Sequence, residues 1–192
     1  MAPSKAAARL TELPEWQAAR VVKSNPDARQ LPVRRRARKD GKTLYKAVPR
    51  LADERPFVEV TGDPTIRRAM TEGKPRALDE LEPAELIVCG TVAVHRQGVR
   101  IGKGGGFSDL EFALLVERGL VGRDTTIVTT VHDLQVLDEQ LPETRHDFRY
   151  RGVCRGVRRA DQRGRRQGRR VRLLQALPSR GDRAAMDPRA GP

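Results

Sequence analysis

Aromatic residues are scarce in this chain of 192 residues: one Trp, two Tyr and four Phe. Any core must therefore be built on aliphatic side chains, and the length suffices for one domain with such a core. Cysteine is nearly absent. Cys89 and Cys154 are too far apart for a CxxC pair and too few for a disulfide framework, so a reducing cytoplasm is the expected compartment. No run of about 18 apolar residues exists, which excludes a membrane-spanning helix on sequence grounds. The opening MAPSKAAARLTELPEW has no apolar stretch and carries acids, and is not expected to be a secretory signal. His95, His132 and His146 show no metal-ligand spacing. No Ser-His-Asp or Cys-His pattern can be assembled, so no residue is assigned as a catalytic nucleophile.

What the chain has in excess is positive charge, a formal +13. Its distribution decides what it means. Residues 1–148 hold 24 Lys and Arg against 22 Asp and Glu, whereas residues 149–192 hold 14 Arg, no Lys and 3 Asp. The body is nearly neutral and the tail carries the excess. This places a domain at 1–148 and an Arg-rich, disordered tail at 149–192. The tail is dominated by Arg, Gly, Ala and Pro, residues with GC-rich codons, and it starts where another strand is due. A frameshift product is one reading of it and a genuine basic arm the other.

Along the body, residues 3–22 read as a helix broken near Pro14, with Trp16 in the core. Asn25-Pro26-Asp27 is a turn. A short basic helix is expected over 33–40, then strands at Thr43–Val48 and Phe57–Val60. Pro64 opens a helix that stops near Gly73. Leu86–Val94 is an apolar run typical of one strand buried on both faces, and Thr125–Val131 is another. Helical spacing at Phe107, Leu110 and Leu114 predicts a helix to Gly119. Strands alternating with helices predict a three-layer α/β domain with a mainly parallel sheet, Rossmann-like in topology.

Between the buried run and that helix lies Arg100-Ile101-Gly102-Lys103-Gly104-Gly105-Gly106-Phe107-Ser108-Asp109. It is neither a Walker A loop nor a dinucleotide fingerprint, since Phe107 stands where a third glycine would be. Its four glycines allow close backbone approach to an anion. Ser108 with Glu111 fits a capping box, which would start a helix whose first amides face the loop. Arg100 and Lys103 add positive charge. A glycine-rich hairpin or a plain helix start is the alternative for the loop taken alone. Asp109 at the loop exit and Asp147 further on are acids of the kind that hold magnesium beside phosphates, although each is also an ordinary helix-start or loop acid. His132 and Asp133 follow a buried strand and need not form a dyad.

GVRIGKGGGFSDLE resembles the signature of the 5-formyltetrahydrofolate cyclo-ligase family, Arg-Leu-Gly-x-Gly-x-Gly-Tyr-Tyr-Asp after a buried strand. Val22–Asp27, Gly41-Lys42, Ala47–Leu51 and Thr130–Asp133 are similar to the subgroup of methenyltetrahydrofolate synthetase domain-containing proteins. Gln135 through Leu141-Pro142 to Asp147 matches a later family segment. The resemblance spans roughly Ala8 to Phe148. It implies an enzyme of one-carbon, folate metabolism, a carbon–nitrogen ligase that uses ATP to phosphorylate the formyl oxygen of 5-formyltetrahydrofolate. A neighbouring nitrogen then closes the ring to 5,10-methenyltetrahydrofolate. It implies that Arg100, Gly102, Lys103, Gly104, Gly105, Gly106, Phe107 and Ser108 hold ATP phosphates, that Asp109 and Asp147 bind Mg2+, and that Asp27 faces the substrate. Ser108 and Leu110 replace a Tyr and an Arg of the pattern, and the family's amino-terminal basic helix has no counterpart, which implies a late start and weakened catalysis. Two other readings of the residues remain. One is a non-enzymatic protein binding nucleic acid through the Arg-rich tail and the run Arg34–Lys39, although no aromatic interleaving supports base stacking. The other is a site like that of the sugar-phosphate isomerases.

Overall fold

The computed structural model describes residues 2–143 and 152–155. Asp147 and His146 lie outside the described residues. In chain order the elements are α1 (Ala2–Thr11), α2 (Pro14–Ala18), β1 (Val21–Ser24), α3 (Leu31–Lys39), β2 (Thr43–Ala47), β3 (Phe57–Glu59), α4 (Ile66–Glu72), β4 (Lys74–Arg76), β5 (Leu86–Cys89), β6 (Ala93–His95), β7 (Arg100–Ile101), α5 (Phe107–Glu117), β8 (Thr126–Val131), β9 (Val136–Leu137) and β10 (Gly152–Arg155). Seven strands form the main sheet in the order β10-β8-β5-β1-β2-β3-β4. The first five run parallel, and β3 and β4 add an antiparallel edge. The mainly parallel α/β sheet expected from the sequence is the one observed.

Strand alternation separates two cores. Val21, Tyr45, Ala47, Ile87, Cys89 and Ile127 belong to one, which also takes in Leu115 of α5 together with Leu120 and Val121. Val22, Leu44, Leu86, Val88 and Val128 belong to the other, with Leu10, Trp16, Val33, Ala37 and Ala69. Helices therefore cover both faces, which gives the three layers. Aliphatic side chains and one fully buried Trp16 do the work that few aromatics could.

Several expected boundaries moved, each for a local reason. Val21 and Val22 do not end a helix. They enter β1, because β-branched pairs fit a strand buried between two neighbours, here β2 and β5. The apolar run Leu86–Val94 is two strands, broken at Gly90. β5 belongs to the main sheet, and β6 turns away into a small sheet of order β7-β6-β9. The helical face expected at Phe107, Leu110 and Leu114 is not the buried one. Phe107 and Leu110 are exposed, while Glu111 and Leu115 are buried. Residues 152–155 fall within the segment 149–192 that composition set apart, and their backbone extends the sheet by pairing in parallel with β8. Among the described residues no helix is long and apolar enough to cross a membrane.

Candidate functional site at the carboxyl edge of the sheet

The chain steps from β1 to β2 on one side and later returns to β5 on the other side of β1. Between the carboxyl ends of β1 and β5 the winding reverses, and in doubly wound sheets ligands bind in the crevice at such a point. Residues from three separate stretches of sequence meet here.

The first stretch is Asn25-Pro26-Asp27, just beyond β1. It is held from below by Arg34 of α3, whose Nη1 donates to the carbonyls of Asn25 at 2.7 Å and Asp27 at 2.9 Å, while its Nε donates to Pro64 at 2.9 Å. Arg34 is fully buried. Burial lowers its pKa to about 10, partly offset by the Asp27 carboxylate. The run Arg34–Lys39 is thus not a uniformly solvated basic face: its first cation is a strut inside the domain. Arg35, Arg36 and Lys39 line a shallow groove with Ser4, Ala7, Ala8 and Pro32.

The second stretch is Gly90, the residue after β5. A β-carbon built there would overlap Asp27 Oδ2 and stand 3.1 Å from its Cγ. The glycine lets the carboxyl group lie directly against the strand end. A glycine inside an apolar run is the sequence signal for such close approach, and here it also marks the end of β5 within Leu86–Val94.

The third stretch is the glycine loop itself. The β6–β7 hairpin, closed by hydrogen bonds between His95 and Val99 and between Gly98 and His95, delivers Arg100 to the edge of the crevice. Gly104 and Gly106 adopt positive φ, 86° and 64°, a conformation that favours glycine. Gly106 is the N-cap residue of α5, with no side-chain cap. The expected capping box between Ser108 and Glu111 is therefore not formed, because the helix starts two residues earlier and both side chains are used elsewhere. Asn25 Nδ2 donates to Ser108 Oγ at 2.8 Å. Glu111 forms a buried ion pair with Lys23 of β1, the side chains being 4% and 3% exposed. Both contacts fasten the start of α5 to the end of β1. In sequence Lys23 and Asn25 stand only within the Val22–Asp27 segment that resembles the subgroup, and nothing local ties either side chain to the loop.

The result is a loop in which the amides of Lys103, Gly104, Gly105 and Gly106 donate to no acceptor among the described residues. The first amides of α5 point the same way by helix geometry. Asn25 Oδ1, next to Ser108, is buried with no hydrogen-bond partner among the described residues. Two cations flank the loop, each paired with an acid. Arg100 Nη2 lies 2.5 Å from Asp109 Oδ1, with side-chain exposures of 4% and 23%. Lys103 Nζ lies 2.5 Å from Asp27 Oδ1. Loop amides, a helix start and two cations suit phosphate oxygens. One partly exposed carboxylate beside them suits a magnesium ion that keeps waters and phosphates as its other ligands. Among the described residues no group of three or more His, Cys, Asp or Glu could hold a metal by itself, and such an ion does not need one.

His132 lies across the crevice edge. Its Nδ1 accepts from the Leu134 amide, and its own amide donates to Gln135 Oε1. It caps a short turn and forms no dyad with Asp133. Gln135 Nε2 ties that turn to the carbonyls of Thr91 and Val92. Cys89 is buried, which pushes its thiol up to about 11 and leaves it no nucleophile at neutral pH.

Fold and site together define a doubly wound α/β domain with a glycine-rich loop at its switch point. The chain belongs to the 5-formyltetrahydrofolate cyclo-ligase family, whose model matches residues 2–156. It is similar to the methenyltetrahydrofolate synthase domain-containing protein of Mus musculus, 38% identical over 151 residues, covering 73% of this chain and 40% of that protein. The Homo sapiens protein of the same name is 39% identical over 139 residues, covering 66% and 36%. The chain thus spans about two fifths of the length of the curated relatives it matches. Two solved structures share the fold. The 5,10-methenyltetrahydrofolate synthetase of Aquifex aeolicus has a TM-score of 0.54 at 20% identity, covering 86% of this chain and 85% of that one. That of Mycoplasma pneumoniae has a TM-score of 0.54 at 10% identity, covering 81% and 85%.

Proposed function

We propose that the chain carries out the ATP- and magnesium-dependent cyclisation of 5-formyltetrahydrofolate to 5,10-methenyltetrahydrofolate, with catalysis weakened by Ser108 and Leu110 at two signature positions. The observation that carries this reading is the convergence, at the switch-point crevice, of the glycine loop with Asp27, brought together from 76 residues apart. Bound ATP would supply the phosphoryl group that activates the formyl oxygen, with magnesium neutralising its phosphates. The chain's part is positioning and electrostatics, which suits a site without a nucleophile.

The amides from Gly102 to Ser108 and the Lys103 ammonium hold phosphate oxygens. Arg100, almost fully buried, holds one carboxylate oxygen of Asp109, and Asp109 would be a ligand of the magnesium ion that offsets the phosphate charge. Asn25 fixes Ser108, and with it the first turn of α5. Asp27, seated against Gly90, presents its carboxylate to N–H donors of the folate ring. Asp147 joins Asp109 as the second acid of the metal site, on the strength of the resemblance alone. The sparse cysteine supports a reducing cytoplasm as the compartment.

Absorbance of the methenyl product tests the reading directly, with 5-formyltetrahydrofolate, ATP and magnesium as reactants. Slow but magnesium-dependent product formation is expected. No turnover together with no ATP binding would remove the proposal.

A further inference from the structure

The two acids of the site are held differently. Asp27 is fixed on three sides: Gly90 lies against its carboxyl group, and Arg34 holds its own carbonyl and that of Asn25. Its cation is not fixed. Lys103 stands on an exposed glycine loop, with its side chain 77% exposed against 28% for Asp27. An ion pair so open to water is worth at most about 1 kcal/mol. The Arg100–Asp109 pair is far less exposed, with Arg100 at 4%, and its separation would strand a charge away from water. Of the two pairs, the Lys103–Asp27 pair is the one made to exchange.

We propose that nucleotide phosphates take Lys103 from Asp27, and that this exchange couples the two halves of the site, so that nucleotide strengthens folate binding and folate strengthens nucleotide binding. The inference rests on the ATP and folate reading above and adds to it an order among the contacts. A terminal phosphate carries more negative charge than one carboxylate. It also gains the loop amides and the first amides of α5, which Lys103 approaches without leaving its loop. Asp27 does not follow, because Gly90 and Arg34 hold it. Its carboxylate is then an acceptor released from the Lys103 ammonium, with Arg34 beneath it still held on the backbone carbonyls, and it is ready for paired N–H donors on the edge of a folate ring. Before nucleotide binds, those donors must compete with an ammonium already in place. The coupling cannot exceed what the ion pair is worth, which converts to roughly fivefold in affinity, and linkage requires the same factor in both directions.

The test is calorimetric titration of the full chain with 5-formyltetrahydrofolate, in the presence and absence of magnesium and a non-hydrolysable ATP analogue. Nucleotide is expected to tighten folate binding about three- to fivefold. Lys103→Met is expected to bind folate without nucleotide as tightly as the unmodified protein does with it, and to show a ratio near one. Lys103→Gln, which keeps the length and polarity of the side chain, should behave alike, so that a defect special to one variant is recognised. A ratio of one in the unmodified protein, with both ligands bound, overturns the coupling and leaves the ATP and folate reading standing. So does an undiminished ratio in both Lys103 variants. Failure of the unmodified protein to bind either ligand removes the reading itself and the coupling with it.

Discussion

Lys23 of β1 and Glu111 of α5 form an ion pair sealed inside the domain, with both side chains under 5% exposed. A sealed pair is poor evidence of net stabilisation, because both charges had to leave water. Breaking it is another matter. Glu111→Ala leaves an uncompensated ammonium beneath the glycine loop and is expected to destabilise the domain by about 3–5 kcal/mol. Lys23→Met combined with Glu111→Leu removes both charges and is expected to recover most of that loss. Urea unfolding of the two variants checks both outcomes.

Asp109 stands in the first turn of α5 just after the loop, with its side chain 23% exposed, and Arg100 holds one of its oxygens in the contact at 2.5 Å. Asp109→Ala is expected to abolish the magnesium dependence of ATP affinity while leaving a weaker, metal-independent binding through the loop amides. Nucleotide titrations with and without magnesium read this out. Unchanged magnesium dependence would remove Asp109 from the metal site.

Gly90 makes a narrower prediction. Adding one methyl group forces the Asp27 carboxyl group off the end of β5. Gly90→Ala is expected to raise KM for folate at least tenfold and to leave KM for ATP within about twofold. A general loss of folding would raise both, so the ratio of the two constants separates positioning from damage.

How far the sequence was legible follows a simple physical line. Patterns of local origin were readable: the β-branched run of β8, the break in regular structure at Asn25-Pro26-Asp27 and the glycine loop all depend on nearest neighbours. Contacts between distant segments were not. Ser108 and Glu111 have capping-box spacing, yet the sheet offers each a better partner, Asn25 and Lys23, and tertiary contacts override local chemistry. Arg34 looked like one member of a basic run, and only the fold turns it inward onto the carbonyls of Asn25 and Asp27. The Leu86–Val94 run shows the same limit, since its apolar composition is continuous while Gly90 bends the chain from one sheet into another.

Lys46 is an ordinary strand residue by sequence, and the structure buries it completely on β2 beside Arg34. Burial first, and the neighbouring guanidinium second, lower its pKa from 10.5 to about 8. The unfolded chain therefore binds more protons than the folded one between about pH 8 and 10.5, so this group makes stability rise with pH across that window. Below pH 8 the ammonium is charged in both states and its burial is a full cost. Lys46→Met is expected to raise the midpoint of thermal unfolding at pH 7 and to flatten the rise between pH 8 and 10. Parallel thermal melts over that range check it. A variant less stable than the original at pH 7 would show that the Lys46 bond to the Ile66 carbonyl, 3.3 Å long, outweighs the buried charge.

The Arg-rich segment divides at a position that composition alone did not mark. The strand Gly152–Arg155 pairs with β8, and the family match ends at residue 156. Removing residues 157–192 is expected to leave the unfolding midpoint unchanged. Removing residues 149–192 strips β8 of its outer partner and is expected to lower that midpoint by several degrees. The same pair of truncations sorts the electrostatics, because any RNA retention that depends on residues 157–192 alone is the behaviour of a polyelectrolyte. The origin of the segment is a separate matter, and we propose a reading-frame shift near the codon for Phe148, on the abrupt loss of Lys and gain of Arg, Gly, Ala and Pro. Resequencing the gene there decides it. A β-rich continuation in either alternative frame supports the shift, and its absence from both establishes the basic arm as authentic.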